Sequence, residues 1–192
     1  MIPEEHRTEP RLMIAGPTIH AMKYAGSEPE LRELFANLLA SSMDARIAYT
    51  AHPAFVEIIK QLGPDEAKIL RSVATTGPSV GVAVVTVYQI DPAKPGHAET
   101  KLLAPHSLIA DVAGCGHPEL VSPYLNNLCR LGLGEIPGWK SLSDRSLYDP
   151  IMKASKILDL QNDFTGRLRI EQQVFQTTPY GEQFITACVI SR

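Results

Sequence analysis

Cys115-Gly116-His117 is the nearest approach in this chain to a metal-ligand pair, since thiolate and imidazole are the usual donors to zinc. A zinc site needs about four donors at defined spacing, and neither a second cysteine pair nor a histidine pair lies near this one. No metal and no cofactor is expected, and the tripeptide reads as a loop ahead of a helix that His117-Pro118 opens. His52 also precedes a proline at a helix start, where an imidazole can accept from a free amide or pack against Phe55. Acids cluster at Glu28, Glu30 and Glu33 and at Asp65-Glu66, both in first turns of helices, where capping and the helix dipole account for them. Hydrolysis by paired carboxylates would require distant acids to converge. The chain has no Gly-x-Ser-x-Gly elbow, no Gly-x-x-x-x-Gly-Lys phosphate loop and no Gly-x-Gly-x-x-Gly fingerprint. No catalytic residue is assigned.

The candidate contact residues are Asn126, Asn127 and Arg130 on one helix, with Arg167 and Arg169 on a later strand. Asn and Arg can meet base edges while a basic wing lies along phosphate. Charge weighs against it. The chain carries 18 basic and 21 acidic residues, net −3, and residues 119–192 hold eight of each. A neutral half releases few counterions from a phosphate polymer, so the preferred reading is a solvated helix face with Asn127 bonded to a nearby loop. Cys115, Cys129 and Cys188 are odd in number and far apart, with no secretory signal ahead of them, which points to a reducing cytoplasm, and Cys129 and Cys188 fall on apolar helical faces and read as buried thiols. The longest apolar run, residues 80–90, is broken by Gly81, Thr86 and Gln89 and is too short to cross a bilayer, which takes roughly 20 residues. It reads as a strand.

The positioning elements follow from capping residues and periodicity. Residues 1–12 are polar and proline-bearing and read as an arm, and a short helix is expected over 17–24, with Gly26 ending it. Ser27 and Glu30 fit a reciprocal cap for a helix running to about residue 46, with Leu31, Leu34, Phe35, Leu38 and Ser42 inward. His52-Pro53 starts a two-turn helix burying Phe55, Ile58 or Ile59, and Leu62. Pro64, Asp65 and Glu66 start another, burying Ile69, Leu70 and Val73. From Gly77-Pro78 the texture turns β-branched, Asp91-Pro92 closes the strand, residues 92–98 form a loop, and residues 100–116 show no clean period. Leu120 to Leu131 return at helical spacing, and Gly132-Leu133 has the form of a left-handed stop. A further helix is expected from Ser146, with Asp149 at its capping partner position, burying Tyr148, Ile151, Met152, Ser155 and Leu158. Leu168 to Val174 alternate as a strand, and Thr177 or Thr178 caps a last helix entered through Pro179. The expected fold is α+β and mostly helical, with 1–16 as a leader, 17–76 as a helical lobe, and 77–192 as a winged-helix-like lobe with a small antiparallel sheet packed on it. The helix after Ser146 is extra to a minimal winged helix.

The stretches ELRELFANLLASSMD and HPAFVEIIKQLGPDEAKIL, with YLNNLCRLGL and TPYGEQFITAC further on, resemble the Abi-alpha family, bacterial proteins named for abortive phage infection. The motifs are helix starts, helix stops and core stripes, so they identify a fold rather than a reaction. The resemblance implies bacterial origin and a role in phage defence, and it brings no active-site residue onto these positions. Gly63 stands where related sequences tend to carry a capping Ser. Members usually have a longer segment ahead of this region, so Met1 is not expected to be the natural start. The expected function is a non-enzymatic module of a phage-defence or stress system that binds another protein or itself. The alternatives are a winged-helix nucleic-acid binder and a hydrolase or nuclease with convergent carboxylates.

Overall fold

Short apolar stripes between proline-bearing starts and glycine-bearing stops produce short elements. The computed structural model describes residues 2–76, 81–90, 99–163 and 167–191. Helices α1 (Leu12–Met22), α2 (Pro29–Ser42), α3 (Ala54–Ile59) and α4 (Pro64–Thr76) precede strands β1 (Val82–Ile90) and β2 (Glu99–His106). Then come α5 (Ile109–Val112), α6 (Val121–Arg130), β3 (Gly134–Glu135), α7 (Asp149–Met152), α8 (Ser155–Asp163), β4 (Arg167–Thr177) and α9 (Pro179–Phe184), which runs on into a π-helical turn, Ile185–Val189. The fold is α+β and mostly helical, with one small antiparallel sheet, as the sequence implies. The expected break at Gly77-Pro78, the strand start at Val80, its close at Asp91-Pro92 and the loop 92–98 lie outside the described residues.

The sheet has the order β2-β1-β4-β3. β1 runs antiparallel to β4 from Val82 opposite Phe175 to Ile90 opposite Arg167. Its apolar run is continuous because both faces are covered: Val82 and Val84 join the larger core, while Val85 and Val87 pack with Leu103, Tyr148, Ile151 and Ile157 in a smaller one. The larger core draws Leu34, Phe35, Ile69 and Leu70 from before residue 76 and Leu125, Leu128 and Phe184 from after it. Residues 100–116 lack one period because β2, a turn and the single turn of α5 share them.

Several boundaries differ from expectation. α1 begins five residues before Pro17 and carries the proline inside. Burial of Ile14, Ala15, Thr18 and Ala21 on both sides of it outweighs the one backbone bond a proline forfeits. Ser27 does not cap α2. Glu28 takes that place without a side-chain capping bond, and Pro29 is the first helical residue, the position its fixed φ prefers. α2 ends at Ser42 because Asp44 turns the chain, accepting from the Arg46 amide at 3.0 Å and from its guanidinium at 2.9 and 2.7 Å. The arm docks on this turn: Thr8 donates to the Met43 carbonyl at 2.9 Å and Ala45 to that of His6 at 2.8 Å. The helix expected from Ser146 is broken into a 3-10 turn, α7 and α8. Asp144, not Ser146, is the cap, accepting from the Ser146 amide at 3.0 Å. The break after Met152 shifts the helical phase, so Ile157 turns inward, whereas Leu158 and Ser155 are exposed.

The α6 stop and the α9 start form one joint. Gly132 has φ of +73°. Leu133 donates to the Leu128 carbonyl and Gly132 to that of Cys129, both at 3.0 Å, the two bonds of a left-handed helix stop. Thr178 Oγ1 accepts from the Gly181 amide at 2.9 Å and donates to the Gly132 carbonyl at 2.5 Å. A Cβ on Gly181 would lie 1.9 Å from the Leu133 carbonyl oxygen, so α9 can seat here only on glycine. Gly181→Ala is expected to cost about 3 kcal/mol in urea unfolding. Gly138→Ala, whose Cβ meets nothing within 4 Å, should stay within about 0.5 kcal/mol of the parent.

Candidate functional site

Gly63-Pro64-Asp65-Glu66 starts α4 and brings two adjacent acids, both nearly buried, to the side of α6. Glu66 reaches back to accept from the Gly63 amide at 2.7 Å, half of a capping box, and its other oxygen accepts from Asn127 Nδ2 at 2.8 Å. The same Asn127 nitrogen donates to the Gln61 carbonyl at 3.0 Å. Arg130 donates from Nε and Nη2 to Asn127 Oδ1 at 3.0 and 2.7 Å, and from Nη1 to Gln61 Oε1 at 3.1 Å. Asp65 faces the loop before α6. It accepts from the amides of Gly116 at 2.8 Å and His117 at 3.0 Å, and from the Tyr124 hydroxyl at 2.9 Å.

These bonds set the electrostatics. Burial pushes Asp65 upward, but the amides of Gly116 and His117, the Tyr124 hydroxyl and Lys68 outweigh it and hold the carboxyl below its ordinary value. For Glu66 burial prevails over the Gly63 amide, Asn127 and Arg130, and the carboxyl is raised. Burial and the facing Asp65 charge push the Cys115 thiol up to about 11 and raise the Tyr124 phenol further above its usual range. A cleft of about 240 Å³ opens beside Asp65, lined by Gly63, Pro64, Gly116, His117 and Tyr124. At neutral pH the Cys115 thiol and the Tyr124 phenol stay protonated, and Asp65 already accepts four hydrogen bonds, the fourth from Lys68 Nζ at 3.4 Å. The arrangement is built to hold α4, α6 and the 115–117 loop together.

The sequence-derived contact residues do not share one face. Asn127 and Arg130 come together, bonded to the loop at Gln61, and Asn126 is exposed next to them. Arg167 and Arg169 lie toward the other end of β4. Arg169 is eight residues along the strand from Thr177, which pairs with β3 just after α6, a span of roughly 26 Å. Arg169 clamps Glu99 at 2.9 and 2.6 Å and stacks over the Tyr88 ring at 4.5 Å. Arg167 is exposed opposite Ile90. His52 Nδ1 accepts from the Ala54 amide at 3.1 Å, and its ring packs 5.8 Å from Phe55. Cys115 Sγ donates to the Asp65 carbonyl at 3.5 Å and His117 Nδ1 meets Glu119 at 3.1 Å; among the described residues no three His, Cys, Asp or Glu side chains converge as metal donors.

Sequence reasoning took Asp65 and Glu66 as first-turn acids and overlooked their cross-links to α6. Two acids on a helix that is buried from its first turn were the available signal. It also passed over Trp139, the single tryptophan, which is 87% exposed in the loop after β3. Ahead of that loop Glu135 pairs with β4 and accepts from Gln176 Nε2 at 2.6 Å, and the loop is held again after the tryptophan. Lys140 bonds to Gln176 and closes a turn onto the Pro137 carbonyl at 3.2 Å. The Leu142 amide donates to Tyr148 Oη at 2.9 Å, and that hydroxyl donates to the Gln173 carbonyl at 2.7 Å.

A mostly helical α+β body, stapled by buried acids and ending in a glycine-dependent helix joint, is the class to which this molecule belongs. The model of the abortive infection alpha family matches residues 1–188, and the chain belongs to that family, an abortive-infection-related domain. No protein of curated function matches. Among solved structures, an uncharacterized protein from the hydrocarbon-degrading marine bacterium Alcanivorax borkumensis SK2 is similar, with 21% identity and a TM-score of 0.48, over 69% of this chain and 90% of that one.

The two acids act on stability in opposite senses. Asp65, lowered in the fold, contributes stability above the ordinary carboxylate value and loses it as pH falls through its folded value. Glu66, raised in the fold, opposes folding when ionised, and that cost is relieved as pH falls through its raised value. Asp65→Asn is expected to lower stability at neutral pH by about 2 kcal/mol, because an amide nitrogen cannot accept. It should also flatten the acid limb below about pH 4. Urea midpoints measured across pH provide the check.

Proposed function

We propose that this chain is a non-enzymatic module of a phage-defence or related stress system that works in the cytoplasm by binding another protein. Its membership of the abortive infection alpha family supplies the biological setting. The observation that carries the binding reading is Trp139, a large flat side chain almost fully in water on a loop fastened at both ends. Tryptophan is the residue most enriched among interface hot spots, and a fastened loop loses little freedom on docking. The three free cysteines fit a reducing compartment.

Nucleic-acid binding by a winged-helix arrangement is the second reading, and Asn126 and Arg167 are the exposed side chains in its favour. Asn127, Arg130 and Arg169 are bonded within the molecule, and residues 119–192 have no excess of cations. Convergent-carboxylate hydrolysis has less support, since both acids of the Asp65-Glu66 pair accept from internal donors.

Affinity capture from infected and uninfected cells should retain a stoichiometric partner on the parent chain and at least tenfold less on Trp139→Ala. No partner and no self-association in either condition would sink the binding reading. Fluorescence anisotropy with duplex and single-stranded oligonucleotides at low salt is expected to show no binding; affinity that falls with salt and with Arg167→Ala would move the assignment to nucleic acid.

A further inference from the structure

α1 has no charged residue between Arg11 and Lys23 and is apolar on both sides. Its inner face buries Ile14, Ala15, Thr18 and Ala21. On its outer side and just past its end, Leu12, Met13, Ile19 and Tyr24 are 87, 72, 53 and 79% exposed. At 100° per residue these fall within one arc with Gly16, His20 and Lys23, opposite the buried stripe. A helix apolar all round is ordinarily covered on every side, and a contiguous exposed apolar face marks a contact surface. It borders a cleft of about 440 Å³ between α1, α2 and α3, lined by Pro17, Tyr24, Leu31, Phe35, Val56 and Ile59. Glu57 stands at this cleft with its charge matched by Lys60 at 2.9 Å.

Charge selects the occupant. The nearest acids along the chain are Glu9 and Glu28, and everything between them is cationic or neutral, with Arg11 and Lys23 bracketing the apolar face. A second copy docked across a twofold axis would set cation against cation, Arg11 on Lys23 if the helices run antiparallel and like on like if they run parallel. An anionic lipid surface meets both cations favourably while the apolar arc enters the head-group boundary and Tyr24 sits at an aromatic's preferred depth. Eleven residues span only about 16 Å, so the helix lies on the bilayer rather than through it. We propose that α1 seats this protein on an anionic membrane surface through Leu12, Met13, Ile19 and Tyr24, with Arg11 and Lys23 on the head groups. This surface is separate from the Trp139 loop and extends the function proposed above.

The test is flotation of the full chain with vesicles of phosphatidylglycerol and phosphatidylethanolamine, compared with phosphatidylcholine alone. The parent is expected to float with the anionic vesicles and at least tenfold less with the neutral ones. Met13→Glu/Ile19→Glu changes only exposed side chains, so it should keep the parent circular dichroism and urea midpoint while losing flotation at least tenfold. Arg11→Glu/Lys23→Glu should lower flotation and its salt dependence together, and Trp139→Ala should leave it unchanged. No flotation with anionic vesicles, equal flotation with both lipids, or full flotation of Met13→Glu/Ile19→Glu overturns the proposal. Lipid-free self-association abolished by that pair would overturn it in favour of a second copy.

Discussion

Two carboxylates side by side at the start of α4 make the attachment on which the rest of the fold depends. Asp65 takes the free amides ahead of α6 and the Tyr124 hydroxyl, and Glu66 takes the Gly63 amide and Asn127. Adjacent helix positions point about 100° apart, so neighbouring acids can grip different partners. A buried carboxylate is tolerable only when its oxygens are filled, and here the filling groups come from a segment some fifty residues onward. The docking of α6 then sets the place of Gly132 and Leu133, against which α9 is seated.

The other end of the core closes on α2. Asn37 Nδ2 donates to the Cys188 carbonyl at 3.0 Å and Ser41 Oγ to that of Ala187 at 2.8 Å, supplying partners to carbonyls at the end of the terminal π-helical turn. Phe55 packs edge-on to Phe184 with centroids 5.1 Å apart and beside Tyr180 at 5.3 Å, so α3 and α9 share one aromatic contact. Side chains that could have served chemistry are thereby used as fastenings: His52 caps, Asn127 bridges, and the carboxylates staple. Among the described residues, the large apolar side chains left outward include Leu12, Met13, Ile19 and Tyr24 at α1 and Trp139 after β3.

Legibility followed the range of the interaction. The Gly132-Leu133 stop, the Thr178 cap and the His52 start rest on bonds within a few residues, and each was readable from local residue types. The Ser27 cap was misplaced because a neighbouring proline competed for the same start. The end of α2 depended on Asp44 turning back on Arg46, and the break within residues 146–163 on Asp144 capping first. Residues 100–116 hid β2 because a strand end, a turn and a single helical turn superpose three patterns. Asp65 and Glu66 were visible as helix-start acids, yet their partners at 116, 117, 124 and 127 lie too far along the chain for any local rule.

Residue order by itself therefore determined the family, the mostly helical α+β class, the positions of the glycine stop and threonine cap, and the absence of a nucleophile elbow, a phosphate loop and a dinucleotide fingerprint. Tertiary structure alone decided which acids became staples, which arginines were consumed in ion pairs, and which apolar residues were left in water. The physical reason is that backbone capping is decided by neighbours in sequence. Burial and charge pairing are decided by neighbours in space, and those exist only once α4, α6 and α9 have met.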